Sequence, residues 1–388
     1  MGRDTASTEG KLGIVLSGGG ARGAFQAGVL EVLLQHPQFK KPEVLSGTSA
    51  GAINAAILAK TNDAAELKRF WFDAANDQPI AAHKRFFEEF YASLEKIGCE
   101  RWYTFAKQRG VFESPFNRRR TAGNLLAAAA EFLLKKDFAR LTRAIRDVKQ
   151  ASILEGDSLL ARLKLHLGDS VKPREGIDLA VSVVDAHTGE VVRFATQEVH
   201  DDEYVHAPEI PIDVIRASAS IPVLLPAVLT RDAPRDVTHL CWDGGLLVNT
   251  PLSPIVKLGA ERAVTVLCTV GPKARAERFN DLDDALERLA DTFFENTYNV
   301  DCKLLIARNL ITTPAGVRAL DASDNRKIYL HKAIRPDGAA ARSYLDFSPE
   351  SFTTMYEDGR AQATKWLAEG PLFEEGIVMS NAAHPFGD

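Results

Sequence analysis

The chain has 388 residues, with 47 Lys and Arg against 52 Asp and Glu for a formal net charge of −5. Hydrophobic residues make up 45% and charged residues 26%, a balance that excludes disordered, collagenous and disulfide-scaffold chains. The near-neutral total also argues against a nucleic-acid binder, which needs a basic surplus to displace counterions.

The opening MGRDTASTEG lacks the apolar core of a signal peptide. Residues 11–17 (KLGIVLS) then form a short apolar run that meets glycines at once, the pattern of a buried strand feeding a turn. From Ala24 the run FQAGVLEVLLQ sets Phe25, Val29, Val32 and Leu33 on one helical face, and Pro37 marks its end. Residues 44–46 predict a second strand, followed by Gly47 and the helix-favouring run AGAINAAILAK. Strand–turn–helix twice within about sixty residues predicts the start of a parallel α/β sheet.

Residues 62–170 change to an Ala/Leu/Lys/Arg/Glu-rich helical pattern with few β-branched runs, which predicts a helical insertion capping one edge of the sheet. Within it, residues 101–150 hold 12 Lys and Arg against four Asp and Glu. That surplus reads as a solvated helix face or as a surface for anionic lipid headgroups, each basic residue contributing about 1 kcal/mol near such a membrane. Strand pattern resumes at 177–185 (IDLAVSVVD), turns at Thr188-Gly189 and continues at 191–195. A strand over 238–242 ends in Asp243-Gly244-Gly245, and another over 263–270 stops at Gly271-Pro272. Beyond 276 the pattern is mostly helical, most clearly in DDALERLADTFFENTY and ESFTTMYEDGRAQATKWLAE.

No stretch reaches the roughly 18 uncharged apolar residues of a membrane span; the nearest, 217–230, contains Pro222 and Pro226. Cys99, Cys241, Cys268 and Cys302 lie far apart with no Cys-x-x-Cys, and read as buried thiols. The expected compartment is the cytoplasm.

Three motifs carry chemistry. Gly18, Gly20 and Gly23 satisfy G-x-G-x-x-G between a strand and a helix, with Glu43 twenty residues further on, a dinucleotide-binding pattern. Glycines there bare backbone N–H groups to something negative, either a pyrophosphate or a transition-state oxyanion. Gly47-Thr48-Ser49-Ala50-Gly51 is G-x-S-x-G, again between strand and helix, which predicts a strained elbow exposing Ser49 at a helix N-terminus. A dinucleotide fold has no use for that serine, whereas acyl transfer needs a nucleophile beside an oxyanion site. For the base, only His331 and His384 follow Asp243, and His331 has the apolar neighbours of a core histidine. Asp243, directly after a strand and cleared by Gly244 and Gly245, is the stronger candidate, because a carboxylate within reach can take the serine proton itself.

These residues resemble the patatin-like phospholipase family of serine lipid acyl hydrolases. The likeness rests on four ordered blocks: 18–23, 47–51, Ala217-Ser218-Ala219-Ser220-Ile221-Pro222, and Asp243-Gly244-Gly245 with Asn249-Thr250-Pro251. Asp185-Ala186-His187-Thr188-Gly189 is similar to a family turn as well. The resemblance implies a three-layer α/β/α fold with a mostly parallel central sheet, a helical insertion and a helical C-terminal tail. It implies Ser49 as nucleophile, Asp243 as general base, and N–H groups of Gly19, Gly20 and Ala50 as the oxyanion hole. Gly18, Arg22, Gly23, Gly47, Gly51, Gly244 and Gly245 support the motifs, and Arg22 either orients the glycine loop or attracts an anionic headgroup. No metal or cofactor is implied. The expected organisation is a catalytic domain over 11–275, including the insertion 62–170, and a helical extension over 276–388 packed on it. The expected partner is a lipid or membrane-interface substrate, not nucleic acid, with peripheral membrane contact through 101–150. Two rivals stand: an NAD(P)-binding protein on the glycine loop, and a catalytically inactive lipid-binding protein.

Overall fold

A computed structural model describes residues 10–77, 81–96, 143, 145–271, 282–311, 328–338, 340–341 and 343–370. Strand β1 (Leu12–Leu16) leads through a short 3-10 turn into α1 (Gly23–Leu33), and β2 (Val44–Gly47) into α2 (Ala50–Thr61). Helices α3 (Ala64–Asp77) and α4 (Lys84–Lys96) follow, with a small antiparallel ribbon of β3 (Ala81–Ala82) and β4 (Leu154–Glu155). After α5 (Asp157–Leu167) and β5 (Ser170–Val171) come β6 (Asp178–Asp185), β7 (Val191–Ala195), β8 (Tyr204–His206), β9 (Ile210–Pro211) and α6 (Ile212–Ser218). The chain continues through β10 (Val228–Asp232), β11 (Val237–Asp243), α7 (Leu252–Lys257) and β12 (Arg262–Val266). The last described elements are α8 (Leu282–Ile311), β13 (Tyr329–Leu330) and α9 (Pro349–Ala368).

Among the described residues nine strands form the main sheet, in the order β10-β11-β6-β2-β1-β12-β13, with β7 and β8 branching from β6. Its centre is parallel: β1 pairs with β2 and β12, and β2 with β6. Two buried faces explain the continuous apolar runs of these strands. In β1, Leu12, Ile14 and Leu16 join one core while Val15 joins the other. The first core is closed by α1, α2, α3, α5, α6 and α9, the second by α7 and α8. The result is the three-layer α/β/α fold with a mostly parallel sheet. Among the described residues no helix is long and apolar enough to cross a membrane.

Both ends of the stretch read as an insertion reach the first core: Leu67, Phe70 and Trp71 from α3, and Leu159 and Leu163 from α5. The basic stretch 101–150 lies outside the described residues apart from 143 and 145–150. At the C-terminal end, α9 lies directly on α1. A methyl group on Gly28 would stand 2.0 Å from the Tyr356 carbonyl oxygen, and one on Gly359 2.1 Å from that of Phe25, so two facing glycines set the contact.

Candidate active site

The two glycine-bearing turns leave the carboxyl ends of β1 and β2, neighbours in a parallel sheet, so both open on the same edge. At the second turn Ser49 takes φ 57°, ψ −128°, a region that costs a side-chain-bearing residue of order 1–3 kcal/mol and persists only when its surroundings impose it. Gly47 and Gly51 allow the reversal: a methyl on either would meet the Gly51 or Leu16 carbonyl oxygen at 2.3 or 2.2 Å. Ser218 holds it. Its hydroxyl accepts the Ser49 N–H at 3.0 Å and donates to the Ser182 carbonyl at 2.7 Å.

Asp243 reaches the same edge by a different route. Strand β11 is antiparallel to β6 and pairs over only three residues, Asp243 opposite Val183. The 3-10 turn of 244–246 then stops the pairing, Gly244 lying against the Ser182 carbonyl. The main-chain N–H of Asp243 donates to the Ser220 carbonyl at 2.9 Å, so the 217–222 segment grips both the serine and the aspartate. The Ser49 hydroxyl lies close enough to the Asp243 carboxylate to favour its charged form, and Oδ1 of that carboxylate accepts the Gly245 N–H at 2.7 Å. Ser49 is 6% and Asp243 4% exposed. Burial pushes the Asp243 carboxyl up to about 7, against the pull of the nearby Ser49 hydroxyl and of the Gly245 N–H.

Gly20 turns the first loop at φ +51°, and a methyl there would strike the Tyr344 carbonyl oxygen at 2.4 Å. The same carbonyl accepts the Ala21 N–H at 2.8 Å. The Gly18 N–H is spent on the Asn249 carbonyl at 2.9 Å, whereas those of Gly19, Gly20 and Ala50 are taken by no described residue. Gly23 starts α1 tight against the Trp71 ring, which a methyl would overlap. Beneath the loop runs a buried chain of amides. Trp71 Nε1 donates to Asn54 Oδ1 at 2.8 Å, Asn54 Nδ2 to Gln26 Oε1 at 3.0 Å, and Gln26 Nε2 to the Ser17 carbonyl at 2.8 Å.

Arg22 is 1% exposed and cannot meet a headgroup. Its guanidinium donates to the Cys268 carbonyl at 3.1 Å and to Asp291 on α8 at 2.9 Å, and it stacks 3.8 Å from the Tyr344 ring centroid. The Tyr344 hydroxyl donates to the same Asp291 oxygen. Arg22 thus ties the loop to the C-terminal third of the chain.

Gly20, Ser49 and Ala50 stand at the wall of an open cavity whose other walls are apolar. They comprise Ile53, Phe70, Trp71, Leu154, Leu159, Ala219, Ile221, Leu224, Leu225, Leu345 and Phe347. The lining suits a hydrocarbon.

Other sequence candidates lie elsewhere. Burial and then Arg262 push His331 down to about 3, and it packs between Phe39 and Trp366 on strand β13's side of the sheet. His384 lies outside the described residues. Glu43 precedes β2 and accepts the Leu12 N–H through Oε2 at 3.1 Å, which puts it at the amino end of the strands. A dinucleotide lying on the glycine loop at the carboxyl end would be a strand's length away from it, about 13 Å. Asp185 is a turn former: its Oδ1 accepts the His187 and Thr188 N–H groups, and its Oδ2 pairs with His239 Nδ1 at 2.7 Å. Cys241, Cys268 and Cys302 are buried free thiols. Among the described residues no group of His, Cys, Asp and Glu could hold a metal ion.

A family model described as patatin-like phospholipase matches residues 14–256. No curated protein matches the chain. Among solved structures it is similar to VipD from Legionella pneumophila, with 18% identity over 93% of this chain and 67% of that one, at a TM-score of 0.40. It is also similar to a chain in the complex of full-length SpcU with full-length ExoU from the type III secretion system of Pseudomonas aeruginosa. There the identity is 16%, the coverage 76% of this chain and 56% of that one, and the TM-score 0.25.

Proposed function

The chain belongs to the patatin-like phospholipase family, and on that premise we propose that it is a lipid acyl hydrolase working through a Ser49–Asp243 dyad. The observation that carries the reading is the strained Ser49 elbow at the wall of an apolar cavity, with the buried Asp243 carboxylate close enough to feel its hydroxyl. In this reading Asp243 takes the hydroxyl proton as Ser49 Oγ bonds to the carbonyl carbon of a carboxylic ester. A carboxyl group raised to about 7 is a far stronger base than an ordinary aspartate and is still largely ionised just above neutrality.

The tetrahedral oxyanion is held by the uncommitted N–H groups of Gly19, Gly20 and Ala50, with the amino end of α2 adding its positive dipole. Collapse expels the alcohol, which carries off the proton from Asp243, and leaves the fatty acyl group on Ser49. Water then attacks with Asp243 again accepting a proton, and the acid departs as Ser49 Oγ recovers it. The apolar cavity receives the acyl chain, so the substrate is a phospholipid or related lipid ester approached from the aqueous side of an interface. Neither metal nor cofactor takes part in this scheme.

Two features weigh against the dinucleotide reading. The Gly18 N–H is already committed to Asn249, and Glu43 sits at the wrong end of the strands. The inactive lipid-binder reading has less support, because Ser49 and Asp243 lie close together beside uncommitted N–H groups. Fluorophosphonate labelling and fatty-acid release from mixed lipid vesicles test the proposal. We expect Ser49→Ala and Asp243→Asn to stay folded and lose fatty-acid release, and Ser49→Ala to lose labelling as well. Retained hydrolysis in either variant refutes the dyad.

A further inference from the structure

Asn249 is 1% exposed, yet neither its Oδ1 nor its Nδ2 has a hydrogen-bond partner. Burying a carboxamide unpartnered is unfavourable, and native proteins avoid it except where the group has other work. Asn54 shows the structural alternative in the same site, with its amide satisfied by Gly23, Gln26 and Trp71. Asn249 could not drift into its position by accident. Its own carbonyl accepts the Gly18 N–H at 2.9 Å. On either side, the Val248 and Pro251 carbonyls accept the Thr48 and Ser46 hydroxyls, both at 2.9 Å.

Two motif glycines make room for this side chain. A methyl group on Gly18 would stand 2.4 Å from Asn249 Oδ1 and 3.1 Å from Ser49 Cβ. One on Gly245 would stand 3.2 Å from Asn249 Oδ1 and 3.0 Å from Asp243 Oδ1. The carboxamide thus flanks the nucleophile across one glycine and the base across the other, with hydrogen-bonding capacity in hand.

We propose that Asn249 is a catalytic residue of the second half-reaction, where it holds the water that hydrolyses acyl-Ser49. The inference rests on the Ser49–Asp243 reading. In the step, the water oxygen bonds to the acyl carbonyl carbon and the carbonyl electron pair moves onto the oxyanion. One water proton passes to Asp243, while the other is donated to Asn249 Oδ1 as a hydrogen bond and stays on the oxygen. On collapse the carbon–Oγ bond breaks, Oγ takes the proton from Asp243, and the fatty acid leaves. Asn249 neither gains nor loses a proton. Acylation uses no water, so it does not need the carboxamide.

The experiment loads Ser49 with a short-chain p-nitrophenyl ester. Release of p-nitrophenolate reports acylation, and intact mass follows decay of the acyl-enzyme. Asn249→Ala is expected to acylate at the wild-type rate and to deacylate about tenfold to a hundredfold more slowly, the usual scale for a misplaced reactant. Its melting temperature is expected to stay level or rise, because a costly buried amide has gone. Asn249→Asp keeps the shape and the acceptor but adds a carboxylate near Asp243, which moves the pH midpoint of deacylation upward. Equal slowing of both phases, an unchanged deacylation rate, or a lower melting temperature with deacylation intact overturns the inference. A wild-type chain that neither releases p-nitrophenolate nor forms acyl-Ser49 defeats the dyad reading itself. Wild-type turnover with Asn249→Ala indistinguishable from it defeats this inference alone.

Discussion

Asp243→Asn removes one negative charge from a position that is 4% exposed and leaves the side-chain shape nearly unchanged. An ordinary aspartate loses its proton near 3.8, whereas burial raises this one to about 7. The folded protein therefore binds the proton more tightly than the unfolded chain does. Stability from this group is full below pH 3.8, drains away between pH 3.8 and about 7, and is gone above that window. At about 1.4 kcal/mol per pH step, the charged carboxylate costs about 4 kcal/mol in alkaline solution. Asparagine cannot ionise, and its Oδ1 can keep the Gly245 N–H. Thermal unfolding of both proteins at pH 4 and pH 8 measures the difference. The two should melt together at pH 4, and the variant should melt several degrees higher at pH 8 while being catalytically silent. The wild-type kcat/KM for a soluble ester should fall tenfold per pH unit below a midpoint near 7. A variant no more stable than wild type at pH 8, or a flat activity profile through pH 7, would refute the claim that a desolvated base sits at this position.

Other substitutions probe the supports of the site. Ser218→Ala strands the Ser49 N–H and the Ser182 carbonyl, which should cost roughly 1–3 kcal/mol of stability and about a hundredfold in turnover as the elbow loses its clamp. Ester kinetics and thermal unfolding at wild-type values would show that the Ser49 conformation needs no such brace. Arg22→Met leaves Asp291 charged and buried, at a cost of about 3–5 kcal/mol. Adding Asp291→Leu should recover most of the stability but not the activity, because the glycine loop has still lost its anchor; recovery of both would assign Arg22 no positioning role.

Much of the site could be read directly along the chain because its parts are local. Strand, glycine turn and helix follow one another within a few residues at 12–33 and 44–61, and each places its functional group at a helix start, where backbone geometry does the work. The apolar runs of β1, β6 and β12 announce strands buried on both faces. What could not be read was anything resting on partners far away in sequence. Arg22 finds Asp291 across 269 positions, so its role as an anchor was indistinguishable from attraction for a headgroup. Gln26 and Asn54 look like stray polar residues in apolar helices until their amides are seen to join α1, α2 and Trp71. Ser218 sits in a recognisable motif, but its effect is exerted on Ser49, 169 positions away.

The net charge of −5 and the ordinary composition excluded whole classes of protein but pointed to no chemistry. Sequence by itself determined the serine turn, the glycine loop and the candidate base, because each is a short-range demand of the backbone on residue type. Tertiary structure decided which candidates meet. It brought Asp243 to the serine through an antiparallel strand that stops after three pairs, and it carried His331 and Glu43 away from it. It also built the apolar cavity in large part from α3, β4, α5 and the segment after β13, none of which bears a motif. The physical reason is that apolar surface is non-directional: many sequences can line such a cavity, and only their packing says which residues do.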